Sequence, residues 1–170
     1  MKKTSIVFIG LLLFSLQSMA EVYLSPKAFL QQTFSPKNVP KSKVIWLSGA
    51  LADEAQEILG HRYKKARVRY WKESQRSAWI LDEIGKEKPI TVGVVVKNKQ
   101  IERLQVLVFR ESRGWEVRHS FFTDQFKGRV LNAKKRLDQG VDNISGATLS
   151  VRAVSKLARL ALLLDEKVGL

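Results

Sequence analysis

The residues of this chain whose types and spacing could carry chemistry stand together: Asp142-Asn143-Ile144-Ser145-Gly146-Ala147-Thr148-Leu149-Ser150. Ser145, Gly146 and Ala147 are small, so backbone there can approach a ligand closely. Thr148 and Ser150 place hydroxyls at the mouth of a predicted helix, where free N–H groups and the helix dipole favour phosphate. Lys134, Lys135 and Arg136 precede the loop and Arg152 follows it, so nearby charge agrees. The same residues also suit an ordinary helix start, with Ser or Thr satisfying orphan N–H groups and Gly making the turn. Residue types alone leave both readings open.

Other chemistries are thin. The chain has no cysteine, which removes iron–sulfur clusters, c-type haem attachment, thiolate catalysis and disulfides. Its two histidines, His61 and His119, are far apart and in no zinc-ligand spacing. No nucleophile–base pair stands out, so a dedicated hydrolase is not expected.

The elements that must position the loop are legible around it. Val151, Val154, Leu157, Ala158, Ala161, Leu162 and Leu164 form an apolar stripe at helical spacing directly after Ser150. Ile90 to Val96 and Ile101 to Phe109, joined by Asn98-Lys99, predict a hairpin central to the sheet. Ser120 could cap a short helix from Phe121 to Phe126, closed by Gly128. Towards the N-terminus, Ser25-Pro26 opens a helix through Phe34, and Leu51 to Leu59 forms another, with Gly60 as its stop. Val44 to Leu47 could be a strand or a helix approach. Ser77 to Leu81 reads as a strand. Helices at both ends of an antiparallel middle predict an α+β fold: a mostly antiparallel sheet flanked by helices, the last of them following the loop.

Charge asks for a partner. There are 30 Lys plus Arg against 16 Asp plus Glu, a formal +14 in 170 residues. Arg62 to Arg76 alone holds seven basic residues and one acid, Glu73, interleaved with Tyr63, Tyr70 and Trp71. That pattern resembles a nucleic-acid stripe, or an edge strand with one basic solvent face. The first twenty residues weigh against nucleic acid. Lys2 and Lys3 precede an apolar run from Ile6 to Leu16, and Ser18-Met19-Ala20 closes it with small residues. This is the layout of a secretory leader cleaved after Ala20, too short to read as a spanning helix, although a retained anchor is the alternative. Export predicts a periplasmic protein that meets no nucleic acid. Lys2 and Lys3 are the leader's only charges, so a chain from Glu21 keeps +12 of the +14.

Asp142-x-x-Ser145-Gly146-Ala147-Thr148, with Ser150 two residues on, resembles the covalent flavinylation motif of the FMN-binding domain family. That family includes the periplasmic flavin subunits of the sodium-pumping NADH:quinone reductase and of Rnf-type complexes, and many small exported proteins. The resemblance runs roughly from Ile90 to Leu164. It takes in the hairpin, Glu111-Ser112-Arg113-Gly114 and the stretch Phe122-x-x-Gln125-Phe126-x-Gly128.

The resemblance implies a covalent FMN, joined through its phosphate to the Thr148 hydroxyl by a flavin transferase that uses FAD and a divalent metal. Ser145, Gly146 and Ala147 would hold the phosphate. Asp142 would serve recognition or loop structure, and Ser150 would add a hydroxyl or cap the helix. Glu111 could approach the flavin or the loop, or be an exposed turn acid. Trp115, Phe122 and Phe126 are candidates for the ring wall, and His119 for a proton donor, though each also suits packing. On this reading residues 1–20 are a signal peptide, 21–89 an extension packing on the domain, and 90–170 the FMN-binding domain. The expected function is periplasmic electron transfer to a membrane-bound or periplasmic redox partner. A flavin-dependent reductase with its own small substrate, or a flavin-free basic adaptor, are the alternatives.

Overall fold

The computed structural model describes residues 20–169; apart from Ala20, the expected leader lies outside the described residues. In chain order the elements begin with β1 (Glu21–Val22), α1 (Pro26–Thr33), β2 (Lys43–Trp46), α2 (Gly49–Leu59) and β3 (Arg67–Glu73). They continue with β4 (Arg76–Ile84), β5 (Pro89–Lys97), β6 (Gln100–Phe109), α3 (Ser120–Thr123) and α4 (Thr148–Val168). The six strands form one antiparallel sheet in the order β1-β6-β5-β4-β3-β2. This is the α+β class that the sequence predicts.

Local chemistry sets the element ends. Ser25 caps α1 by accepting the Ala28 N–H at 3.1 Å, and Pro26 takes the first helical position. Gly60 stops α2 in the left-handed region, at φ 78°. Asn98 and Lys99 turn β5 into β6 with φ of 52° and 63°, a two-residue loop whose twist matches the strands.

α2 and α4 cover one sheet face. Trp79, Leu81, Val92, Val94 and Val106 meet Val154, Leu157 and Leu160 there in the larger core cluster. α1 covers the centre of the other face, where Phe29 joins Ala78, Val95 and Leu107. A Cβ at Gly93 would lie 2.6 Å from the Phe29 ring, so only glycine admits that ring over β5. β4 and β5 pair along nine residues from Arg76↔Lys97 to Ile84↔Pro89, so the sheet runs unbroken across position 89.

Two expectations need correction. The basic strand β3 is not the edge: the four-residue β2, through Lys43↔Tyr70 to Trp46↔Arg67, lies outside it. Four residues with a single strand signal are hard to tell from a helix approach until a neighbour supplies the ladder. Ser120 does not cap a helix but begins one, and His119 at the cap position makes no side-chain bond. The stretch breaks into a 3-10 turn over Trp115–Arg118, the four-residue α3, and a second 3-10 turn over Asp124–Phe126. Its buried residues, Val117, Phe122 and Phe126, are spaced five and four apart, which no single straight helix face serves.

Candidate functional site

α4 runs 21 residues, about 30 Å at 1.5 Å per residue, and starts at Thr148 with no side-chain cap. Ala147 holds the cap position, and the first intrahelical bond runs from the Val151 N–H to the Ala147 carbonyl at 2.9 Å. The amides of Thr148, Leu149 and Ser150 therefore precede the ladder, at the positive end of the helix dipole. The ordinary-cap reading fails here, because neither Ser145 nor Thr148 caps. Thr148 is half-buried, and its Oγ1 accepts a hydrogen bond from Asn143 Nδ2 at 3.0 Å. The loop before it turns at Gly146, at φ 81°, with open space where a side chain would project. Ser145 and Gly146 are exposed, whereas Ala147 is buried against the core.

This helix start floors an open cleft of about 570 Å³, lined by Lys86, Glu111, Ser112, Arg113 and residues Gly146 to Ser150. Two contacts from distant chain build its wall. Glu111 Oε1 accepts the backbone N–H groups of Lys86, Glu87 and Lys88 at 2.5, 2.7 and 3.0 Å. It thus clasps the β4–β5 turn, and Gly85 makes room, since a Cβ there would sit 2.8 Å from that oxygen. Gly114, at φ 85°, lies directly on α4: a Cβ would come within 2.6 Å of Ser150 Oγ and 3.4 Å of the Ala147 Cβ.

Several sequence candidates fall elsewhere. Ser150 lines the cleft only at its buried inner side, packed beneath Gly114. Asp142 is exposed, and its N–H donates to Gln125 Oε1 at 2.8 Å, so Gln125 anchors the loop from α3's side. Phe122 and Phe126 are fully buried and meet edge to face at 5.3 Å; they are core, not a ring wall. Trp115 is 43% exposed, with the Arg118 guanidinium 5.0 Å above its ring and His119 against its edge at 5.4 Å. His119 in turn stacks on the exposed Phe121 at 6.0 Å. Lys135 is engaged by Glu57 of α2 at 2.6 Å, so the Lys134–Arg136 run does not supply the cleft's charge.

The cations in the cleft are Lys86 and Arg113. Neither residue, nor Asn143, carries a role that the sequence alone assigns. Arg113 lies inside the turn Glu111-Ser112-Arg113-Gly114. Lys86 is some sixty residues from Thr148, and only the Glu111 clasp brings it near. Among the described residues no three His, Cys, Asp or Glu gather as a metal site.

Free amides at an uncapped helix start, a lysine, an arginine and a hydroxyl on an open cleft are chemically suited to an anionic group. Residues 85–163 match the family model of the FMN-binding domain. That stretch, from the β4–β5 turn through most of α4, is similar to this family's domain, and it contains every residue that lines the cleft. The match points to a flavin-binding protein. No curated protein and no solved structure gives a match.

Proposed function

We propose that the chain is an electron-transfer flavoprotein working outside the cytoplasm, with one FMN joined through its phosphate to Thr148 Oγ1. The observation that carries this reading is the placement of that hydroxyl. It is the first residue of a long uncapped helix, on a cleft with Lys86 and Arg113 at its rim. The donor set fits a phosphate diester: amides of the first helical turn, one ammonium, one guanidinium, and open space beside Gly146.

In attachment, Thr148 Oγ1 attacks the flavin-side phosphorus of FAD held by a flavin transferase. The oxygen–phosphorus bond forms, the pyrophosphate bond breaks, AMP leaves, and the hydroxyl proton passes to the transferase. Asn143 holds Oγ1 by donating to it, which leaves the hydroxyl proton free to depart. Bound flavin supplies two-electron acceptance with stepwise one-electron release. Lys86 and Arg113 neutralise the phosphate. Leu149, exposed in the cleft lining, and Trp115, exposed next to Gly114 and outside that lining, offer apolar surface to a flat ring. An open cleft keeps the ring within reach of a redox partner, which favours a carrier over an enzyme that must enclose a substrate.

The test is co-production with a flavin transferase, followed by denaturation, in-gel fluorescence and intact mass. A mass increase of FMN less water is expected, and unmodified protein beside an active transferase sinks the proposal. Stopped-flow turnover of a small molecule without any protein partner would favour the reductase instead.

A further inference from the structure

The sheet face turned away from α4 is covered only at its centre. α1 seats Phe29 over Gly93, while among the described residues no helix covers the β2–β3 end. Alternation along β3 puts Arg67, Arg69 and Trp71 on that face, and the pairs Trp46↔Arg67 and Val44↔Arg69 put β2 side chains beside them. Trp46 is 62% exposed. Trp71 is half-buried next to Ile80 at the margin of α1's cluster. Arg67 and Arg69 have no ion-pair or hydrogen-bond partner among the described residues.

The surrounding chain is uniformly cationic. Residues 36–52 and 61–72, which supply β2, all of β3 but its last residue, and the loops feeding them, contain no acid. The loop that seats Val39 in α1's cluster also carries exposed Lys37 and Lys41. The carboxylates on this side of the sheet include Asp82, paired with Lys65 at 2.6 Å, Glu73 at the far end of β3, and Glu102, paired with Arg76 at 2.7 Å.

We infer that this face docks on an anionic lipid bilayer, with Arg67 and Arg69 over the headgroup phosphates and the Trp46 indole in the headgroup layer. An indole that is apolar in body and polar at its N–H settles at that depth. Unpartnered cations on successive rungs suit the diffuse field of a charged membrane, which needs no matching carboxylate for each guanidinium. The face lies across the sheet from α4, so docking leaves the Thr148 cleft accessible. The inference does not rest on the flavin reading.

The test uses the chain from Glu21 onward, which contains every described strand and helix, sedimented with vesicles. Binding is expected to vesicles containing phosphatidylglycerol and not to pure phosphatidylcholine, with a blue shift in tryptophan emission. The double variant Arg67→Glu, Arg69→Glu should weaken partitioning roughly tenfold or more, since about two charge contacts are reversed. The charge-keeping pair Arg67→Lys, Arg69→Lys should retain binding and shows that the strand still folds. Trp46→Ser should diminish the blue shift. Absent binding to anionic vesicles, equal binding to neutral ones, or unchanged binding by the Glu variant overturns the inference. Capture by polyglutamate with no vesicle binding assigns the face to an acidic protein and overturns it equally.

Discussion

Asn143 Nδ2 donates to Thr148 Oγ1 across 3.0 Å, so the side chain five residues before the helix orients its first hydroxyl. Replacing Thr148 with Ala should abolish the covalent adduct while leaving thermal unfolding unchanged. Asn143→Ala should leave the acceptor in place and slow flavin incorporation, by roughly fivefold if one hydrogen bond of about 1 kcal/mol is lost. Time-resolved intact mass would read both. An adduct surviving in Thr148→Ala would move the attachment site elsewhere.

Gly114 and Gly128 form a matched pair. Both have positive φ, 85° and 77°, but only Gly114 faces a crowded neighbour, with Ser150 Oγ 2.6 Å from the place of a Cβ. Gly128→Ala should cost only the backbone strain, about 1 kcal/mol. Gly114→Ala should cost clearly more and disturb the start of α4. Denaturant unfolding of the two variants measures the difference, and equal losses would show that the contact yields freely.

One carboxylate oxygen of Glu111 satisfies three amides of the β4–β5 turn. Glu111→Ala leaves those donors to solvent and should cost about 1–3 kcal/mol in unfolding free energy. It should also lower flavin loading, because Lys86 is held by the same turn. Glu111→Gln keeps an acceptor oxygen and should restore part of both. Full loading in Glu111→Ala would separate the turn from the site.

His61 donates Nε2–H to the buried Glu83 carboxylate at 2.8 Å, and its Nδ1 meets the Arg62 carbonyl at 2.9 Å. The bond to Glu83, then that to the carbonyl, raises the imidazole pKa, opposed by partial burial and by Lys156, 3.7 Å from the same oxygen. A raised folded-state pKa stabilises fully below the unfolded value, about 6.5, and its contribution fades as pH climbs through the folded value. His61 is partly exposed, so solvent screening keeps the effect under about 1 kcal/mol. The Tm gap between the native chain and His61→Gln should therefore be widest just below pH 6.5 and narrow above it. A gap that grows with pH would reverse the assignment.

Lys99 occupies the left-handed region at φ 63° in the β5–β6 turn, where glycine is the preferred second residue. Lys99→Gly should stabilise by roughly 0.5–1 kcal/mol, the relieved strain exceeding the entropy that glycine adds to the unfolded chain. Thermal unfolding would show it, and a lower Tm would mean that entropy wins.

What could be read along the chain was local. The capped start at Ser25-Pro26, the stop at Gly60, the β5–β6 alternation and the stripe of α4 each depend on neighbours within a few residues. The loop from Asp142 to Thr148 was legible for the same reason, since its small residues and hydroxyls are contiguous. Tertiary structure decided what required distant chain to meet. It placed β2 outside β3 and turned Ser150 inward under Gly114. It also sent Lys135 to Glu57 and brought Lys86 to the cleft through Glu111. Those outcomes follow from which surfaces pack and which amides find acceptors across the fold, and no short window of sequence contains both partners.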